Sequence, residues 1–445
     1  MKKDNKIAIL SDYSWVYLSS NIIKKLFPDS NITLITRNTN EFLKEHDFSI
    51  DVIRLKKSEK KEIKSLKSMN FQTGIIDYGF NLHIIFLVFS LDFKELFIID
   101  MRKSDILQPI NKLDFIKIII NKFPYFFNKM LTILSQKLRL SRNLALPSEL
   151  YIETTNTCNL KCRGCPTGLG KLKKQSIMMN KDSFESIIKN NIEIFPFLEY
   201  IVPFFYGEPL LNKYIFQYIN CLRDLSYPYT LIEIHTNGNI IGSSKEIAKK
   251  LLETNIDIIS ISLDGPDKES YESFRNGGNF DIVYTFIKDL TSLKKEMKLF
   301  RPEIVIQMIL TKYNEDKVED FIKLKEELGV DRVVFKPFIS EFTELSYEET
   351  NCLIPNNQQF ILGKEQKQEF IKNKKNLCGW LYRAFCILVD NSITPCCIDP
   401  NGSLLNGLNL KNTTIKKVWN SPKYKQLRKL VLKGKVKLCN NCFFS

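Results

Sequence analysis

Between residues 157 and 166 the chain reads Thr-Cys-Asn-Leu-Lys-Cys-Arg-Gly-Cys-Pro, so that Cys158, Cys162 and Cys165 are separated by three and then two residues. No other stretch constrains the chain as tightly. Three thiolates on so short an arc suit a metal centre with one position left open. Four cysteine thiolates close an iron-sulfur site, and a local set of three leaves one iron free for another ligand. Zinc is the rival reading, and it wants a fourth Cys or His close by. The nearest histidine downstream is His235, one of only three in the chain.

The remaining cysteines point the same way. There are eleven in all, and their clustering in a chain that reads as cytoplasmic argues for metal rather than disulfides. The apolar run after the N-terminal lysines, residues 7–10, is too short for a signal peptide. The run at 84–91 is followed by Asp92, Lys94 and Glu95, which reads as a buried element rather than a membrane span. The formal net charge of +15 accompanies Lys, Ile and Asn spread through the whole chain. With no Arg-rich block or basic-aromatic stripe, direct nucleic-acid binding is not indicated.

Taken in order, residues 1–110 alternate short apolar runs (6–10, 32–36, 51–55, 73–77, 95–100) with helix-like stretches such as 16–26 and 57–69. This alternation predicts a Rossmann-like α/β domain with a parallel sheet. The first glycine is Gly74, so the dinucleotide fingerprint is absent. Residues 111–147 form a helical linker. Its apolar positions among lysines fit a helix packed between domains, or a basic amphipathic helix on an anionic membrane, and Pro124 is expected to interrupt it.

Residues 148–340 carry the most regular pattern. Strands are expected at 150–154, 200–204, 231–235, 257–263, 303–310 and 331–335. Helices are expected at 181–195, 213–225, 244–253, 280–298 and 315–328. Six strand–helix units predict a partial (β/α)6 TIM-like barrel, which places chemistry in the loops after the strands. The motifs fall there: the cysteine triplet after the first strand, Gly207-Glu208-Pro209 after the second, Thr236-Asn237 after the third, and Ser262 and Asp264 at the end of the fourth. Each alone reads equally well as a turn or a cap. His235 reads as a satisfied strand-end histidine, and Gln307 as a candidate to face a ligand.

The triplet, with Asn159 and Leu160 inside it and Gly207-Glu208-Pro209 beyond it, resembles the cluster motif of radical S-adenosylmethionine (SAM) enzymes. The resemblance implies a 4Fe-4S cluster on Cys158, Cys162 and Cys165, with SAM on its open iron. It places Gly207, Glu208 and Pro209 at the SAM amino group, Ser262 and Asp264 near the ribose, and Thr236 and Asn237 near the cofactor. The stretch 271–278, with Arg275, also matches, without an assigned role. The chain departs at Gly164, where many members carry an aromatic that packs on adenine.

After a polar linker at 341–376, residues 377–445 hold Cys378, Cys396, Cys397, Cys439 and Cys442. A hairpin is expected over 385–389 and 392–395, turning at Asp390-Asn391. A helix is expected from Ser421-Pro422 to Lys433, closed by Gly434. Cys386 reads as core, and Cys221 and Cys352 as inert. This end resembles the SPASM and twitch extensions of radical SAM enzymes in their shorter form. That resemblance implies a small C-terminal iron-sulfur domain with a second, auxiliary 4Fe-4S cluster on Cys378, Cys396, Cys439 and Cys442. Cys397 is an alternative to Cys396, and zinc an alternative to iron.

Together these resemblances imply an enzyme that reductively cleaves SAM to a 5'-deoxyadenosyl radical and abstracts hydrogen from a substrate carbon, fed by an electron donor such as flavodoxin or ferredoxin. Residues 24–37 resemble part of heptosyltransferase-like glycosyltransferases, which points to a sugar- or nucleotide-linked substrate. The rivals are a peptide-modifying maturase and a non-enzymatic iron-sulfur carrier or sensor.

Overall fold

The structure is a computed structural model that describes residues 6–10, 31–36, 51–54, 73–77, 95–99, 107–110, 112–338, 353–357, 378–440 and 442. The expected helices at 16–26 and 57–69, the apolar run at 84–91, Cys352 and most of the linker at 341–376 lie outside these residues. The chain forms two compact units, Met1–Phe127 and Asn128–Ser445.

In the first unit, β1 (Lys6–Leu10), β2 (Asn31–Thr36), β3 (Asp51–Arg54), β4 (Thr73–Asp77), β5 (Glu95–Ile99) and β6 (Leu107–Pro109) form one sheet of order β3-β2-β1-β4-β5-β6. All pairs are parallel except β5–β6. The strand order reverses between β1 and β4, the doubly wound arrangement of Rossmann-like sheets.

The helix Lys112–Lys137 runs unbroken through Pro124, contrary to the expected interruption. Proline removes one backbone bond, the one to the carbonyl four residues earlier. That residue is Ile120, which is exposed, so water can satisfy the freed carbonyl. Its C-terminal part is tied down by Asn128, whose amide side chain donates to the Leu146 carbonyl and accepts from the Leu146 N–H.

In the second unit, β7 (Glu149–Ile152), β8 (Tyr200–Val202), β9 (Leu231–Thr236), β10 (Ile258–Ser262), β11 (Glu303–Leu310) and β12 (Arg332–Pro337) pair in parallel and in sequence order. These are the six expected barrel strands. Between them lie helices Lys181–Asn190, Ile215–Leu225, Ser244–Glu253, Phe280–Glu296 and Val318–Leu328. Asn180, Ser243 and Asn279 cap three of them by accepting backbone N–H bonds. The first of these helices is shorter than expected, ending before a 3-10 segment at Ile192–Phe197. A further helix, Lys268–Phe274, was not foreseen.

The two faces of the barrel sheet differ in chemistry. Ile232, Ile234, Ile259, Ile261, Ile304 and Ile306 are buried in the apolar core. The alternate positions on β9, β10 and β11 carry Glu233, His235, Ser260, Ser262 and Gln307 along with Ile258, Val305 and Ile309, and Lys336 takes the same face on β12. A closed TIM barrel fills its interior with branched aliphatic residues; this face mixes aliphatic with polar and charged groups.

The C-terminal hairpin, β13 (Ala384–Ile387) and β14 (Ile393–Thr394), extends the same sheet. β13 pairs in parallel with β7, setting Cys386 beside Tyr151. Asn391 takes the left-handed conformation at the turn, with φ 67°. The helix Pro422–Leu432 starts at Ser421, whose hydroxyl accepts from Tyr424 N, and ends before Gly434 at φ 63°. Arg428 on this helix is fully buried, stacked against Trp419 and Tyr424, and donates to the carbonyls of Leu381 and Trp419.

Candidate functional site

The loop after β7 is held by backbone bonds rather than by its own regular structure. Lys161 N donates to Asn276 O at 2.9 Å and Arg163 N to Phe274 O at 3.1 Å, so the helix Lys268–Phe274 and its exit clamp the cysteine loop. Close approaches fix its shape. A Cβ on Gly168 would stand 2.7 Å from Cys162 N, and one on Gly207 only 2.3 Å from Thr155 O. No side chain fits at either place without moving backbone.

The thiols of this loop receive N–H donors. Leu160 N points at Cys158 Sγ (3.5 Å), as does Asn237 Nδ2 (3.6 Å), while Arg275 Nη1 reaches Cys162 Sγ (3.6 Å). Burial pushes the Cys158 thiol up to about 11 and raises Cys162, with Arg275 opposing. Thiols that receive N–H donors, as Cys158 and Cys162 do, are suited to become thiolates on a metal, because such donors stabilise sulfur charge.

Glu208 joins the loops after β8 and β9. Its Oε1 accepts from Thr236 Oγ1 at 2.8 Å and from Leu210 N at 3.1 Å, and its Oε2 from Asn237 N at 2.7 Å. Burial pushes this carboxyl up to about 7, with those three donors opposing. Asn237 Nδ2 also donates to Asn159 Oδ1 at 3.0 Å, so the second motif reaches the first through one side chain. Glu208 and Asn237 face a small cleft with Leu210, Asn239 and Ile240.

Asp264 is fully buried. Its Oδ1 accepts from Ile309 N at 2.6 Å and its Oδ2 from Arg275 Nε. Its side chain therefore aims Arg275 at Cys162. Ser262 accepts from Gln307 Nε2 at 2.8 Å. His235 pairs with Glu233 at 3.0 Å and stacks on Phe204. The ring of Phe338 lies against Gly164, where an added Cβ would stand 2.7 Å from it. An aromatic from the end of β12 thus occupies the place beside the third cysteine that sequence left empty. Arg275 and Phe338 are the residues that sequence reasoning under-read; the match at 271–278 was the only signal for the first, and the second had none.

At the other end, Cys378, Cys396, Cys397, Cys439 and Cys442 line one cavity with Trp380, Ile398 and Leu438. Both Cys396 and Cys397 face it. Burial raises both thiols, that of Cys397 to about 12. Five cysteines lining one cavity are the donor chemistry that holds an iron-sulfur cluster. Among the described residues no three His, Cys, Asp or Glu side chains stand close enough together to hold a single metal ion.

The two thiol sites are physically connected. Tyr206, next to Gly207, accepts from Thr167 Oγ1 on its carbonyl at 2.9 Å, and its hydroxyl donates to Cys397 O at 2.5 Å. Beside it, Phe205 packs edge-on against Tyr151, which stacks on Trp380 at 5.0 Å between centroids. Glu153, just past β7, braces this junction by accepting from Val389 N at 2.9 Å. Burial pushes its carboxyl up to about 8, so it is protonated in the native state near neutrality.

A folded pKa above the unfolded value means that the native state binds the extra proton between about 4.3 and 8, so stability falls as pH rises through that window. Glu153→Gln, which keeps an acceptor without the titration, should flatten this slope at little cost. Chemical denaturation at pH 5, 6.5 and 8 reads it, and parallel slopes for both proteins would remove Glu153 as the cause.

Comparison with known proteins now bears on these sites. Residues 152–325 match the radical SAM superfamily, and residues 378–443 match SPASM, an iron-sulfur cluster-binding domain. The chain is a radical SAM superfamily member with a C-terminal SPASM domain. It is 25% identical over 208 residues to the tungsten-containing aldehyde ferredoxin oxidoreductase cofactor-modifying protein of Pyrococcus furiosus, covering 46% of this chain and 54% of that one. It is 25% identical over 284 residues to a probable GTP 3',8-cyclase of Methanococcus maripaludis, covering 60% and 92%. Against the Pyrococcus protein, and against the GTP 3',8-cyclase of Peptoclostridium acidaminophilum at 53%, the chain spans about half the relative's length. Among solved structures, BtrN in complex with AdoMet and 2-DOIA matches 67% of this chain and 93% of its own at 18% identity and TM-score 0.40. Streptococcus suis SuiB bound to precursor peptide SuiA matches 71% and 75% at 14% identity and TM-score 0.49. No described helix is long and apolar enough to cross a membrane.

The superfamily and its SPASM domain bring iron-sulfur clusters and SAM as cofactors.

Proposed function

We propose that this chain is a SAM-cleaving radical enzyme that abstracts hydrogen from a carbon of a sugar- or nucleotide-linked substrate and oxidises it. The observation that carries the reading is the joining of the cysteine loop, the Gly207-Glu208-Pro209 turn and Thr236-Asn237 into one hydrogen-bonded unit at the ends of β7, β8 and β9.

Cys158, Cys162 and Cys165 would hold the catalytic cluster, and Cys378, Cys396 or Cys397, Cys439 and Cys442 the auxiliary one. When bound, the first supplies the electron that splits a carbon–sulfur bond of SAM to give a 5'-deoxyadenosyl radical, and the second can take up one electron. The chain's own part is positional. Asn237 and Arg275 direct N–H groups at the thiols. Glu208 fixes the two loops that would receive the methionyl end of SAM, with Ser262 and Asp264 on the neighbouring strand end. Phe338 supplies an aromatic face beside Gly164. The polar lumen of the open barrel gives hydroxyl-bearing substrate the partners that an aliphatic core would deny it. A doubly wound N-terminal sheet is a common platform for nucleotide-linked groups, although fold alone does not assign one.

The test is reductive cleavage of SAM by anaerobically reconstituted protein, read as 5'-deoxyadenosine, with deuterium transfer into it from a labelled substrate panel. Glu208→Ala should weaken SAM binding by tenfold or more, about 1.4 kcal/mol, while leaving the iron content unchanged, because it strands Thr236 and Asn237. Full SAM affinity in that variant would move the amino-group contact elsewhere. Transfer from a peptide rather than a sugar would replace the substrate class.

A further inference from the structure

The strand register decides which side chains face the lumen. His235 lies beside Ser260, Ser260 beside Val305 and Val305 beside Arg332; Ile309 lies beside Lys336. Side-by-side residues in a parallel sheet share a face. Glu233, His235, Ser260, Ser262, Gln307, Arg332 and Lys336 therefore all project to the polar side of the sheet.

The charged side chains on this face make direct contacts, Lys336 excepted. Glu233 pairs with His235 and accepts from Ser260. Arg332 donates to both carboxylate oxygens of Glu303, at 2.7 and 3.1 Å. Lys336 makes no hydrogen bond or ion pair among the described residues. It is half-buried on the last strand, two residues before Phe338. Burial lowers its affinity for a proton, and Arg332 and Arg275 add repulsion that Glu233 and Asp264 oppose. Cys397 of the auxiliary cavity also feels its charge. Lys336 thus shares the polar face with Glu233 and stands two residues before Phe338, whose ring lies beside Gly164.

The Lys336 ammonium has carboxylates in its surroundings but no direct partner among the described residues, so its N–H groups are free to take an incoming anion in a short charge-assisted hydrogen bond. We propose that Lys336 is a substrate-anchoring residue: it binds an anionic oxygen group, phosphate or carboxylate, on a hydroxyl-bearing substrate held in the barrel lumen. The inference deepens the functional reading above and rests on the lumen being the substrate site.

The probes are glucose 1-phosphate, glucuronate and glucose, each titrated into SAM-loaded, reconstituted full-length protein at matched ionic strength. Thermal unfolding and equilibrium dialysis are the readouts. The parent chain should bind at least one of the two anions in preference to glucose, and the preferred one distinguishes phosphate from carboxylate. Lys336→Met should lose that preference by tenfold or more and, without ligand, should melt at the same temperature as the parent or higher. Lys336→Arg should keep the preference.

Three results overturn the proposal: no anion preference in the parent, an unchanged preference in Lys336→Met, or a tenfold loss of SAM affinity in Lys336→Met, which would assign the ammonium to SAM's own carboxylate. The formation of 5'-deoxyadenosine without any probe is measured alongside. If it fails in the parent while anion binding survives, the radical reading falls and the anion site stands.

Discussion

Replacing Cys158, Cys162 and Cys165 with alanine is expected to halve the iron of anaerobically reconstituted protein, from about eight atoms to about four, and to abolish SAM cleavage. The three thiols lie on one loop whose backbone is clamped by Phe274 and Asn276, so their removal deletes ligands without deleting the clamp. Cys158 and Cys162 are capped by N–H groups of Asn237 and Arg275, and these side chains keep Asn159 and Asp264 as partners. The fold should therefore survive, and circular dichroism with the auxiliary centre's absorbance can verify that. Retention of all iron would mean that the catalytic site has been misplaced. Loss of all of it, in a folded protein, would mean that the C-terminal thiols do not hold a cluster by themselves. Zinc in place of the second iron set would make residues 377–445 a structural metal domain.

The strands were legible, and the cysteine spacings readable, because their determinants are local. Alternating apolar runs mark β7 to β12, and ligand spacing needs nothing beyond the loop that carries it. The Asp390-Asn391 turn and the Ser421-Pro422 helix start were legible for the same reason: each is set by two residues. What sequence did not reveal is long-range. Nothing local says that β13 would add itself in parallel to β7, although that pairing sets Trp380 against Tyr151. Phe338 fills the space beside Gly164 from 174 residues away in the chain. Asp264 could be placed at a strand end but not oriented; its carboxylate turns to Arg275 and Ile309 N. Pro124 misled in the other direction, because the local rule against proline in a helix is weak where the freed carbonyl belongs to an exposed residue.

That unforeseen pairing bears on the chemistry. Because β13 continues the barrel sheet, the C-terminal cysteine cavity is built onto the barrel itself. Tyr206 bonds to Cys397 O, and the rings of Phe205, Tyr151 and Trp380 lie in sequence between the Gly207 turn and the cavity. A cluster held by all four thiolates would leave no coordination position for substrate and would supply a one-electron acceptor. After hydrogen abstraction, a carbon radical bearing a hydroxyl becomes a carbonyl by losing one electron and one proton. Replacing Cys439 and Cys442 with alanine should therefore preserve reductive SAM cleavage and hydrogen abstraction while reducing formation of the carbonyl product by a hundredfold or more, about 2.7 kcal/mol or greater. Arg428 and Trp419 anchor this end of the chain independently of those two thiols, so the double variant can be checked for folding by its catalytic-site spectrum and near-UV circular dichroism. Single turnover with deuterated substrate separates the steps: label should still reach 5'-deoxyadenosine, and the substrate should be recovered reduced or as an adduct. A folded double variant that yields the parent's product at the parent's rate would confine the C-terminal thiols to holding β13 and β14 against the barrel.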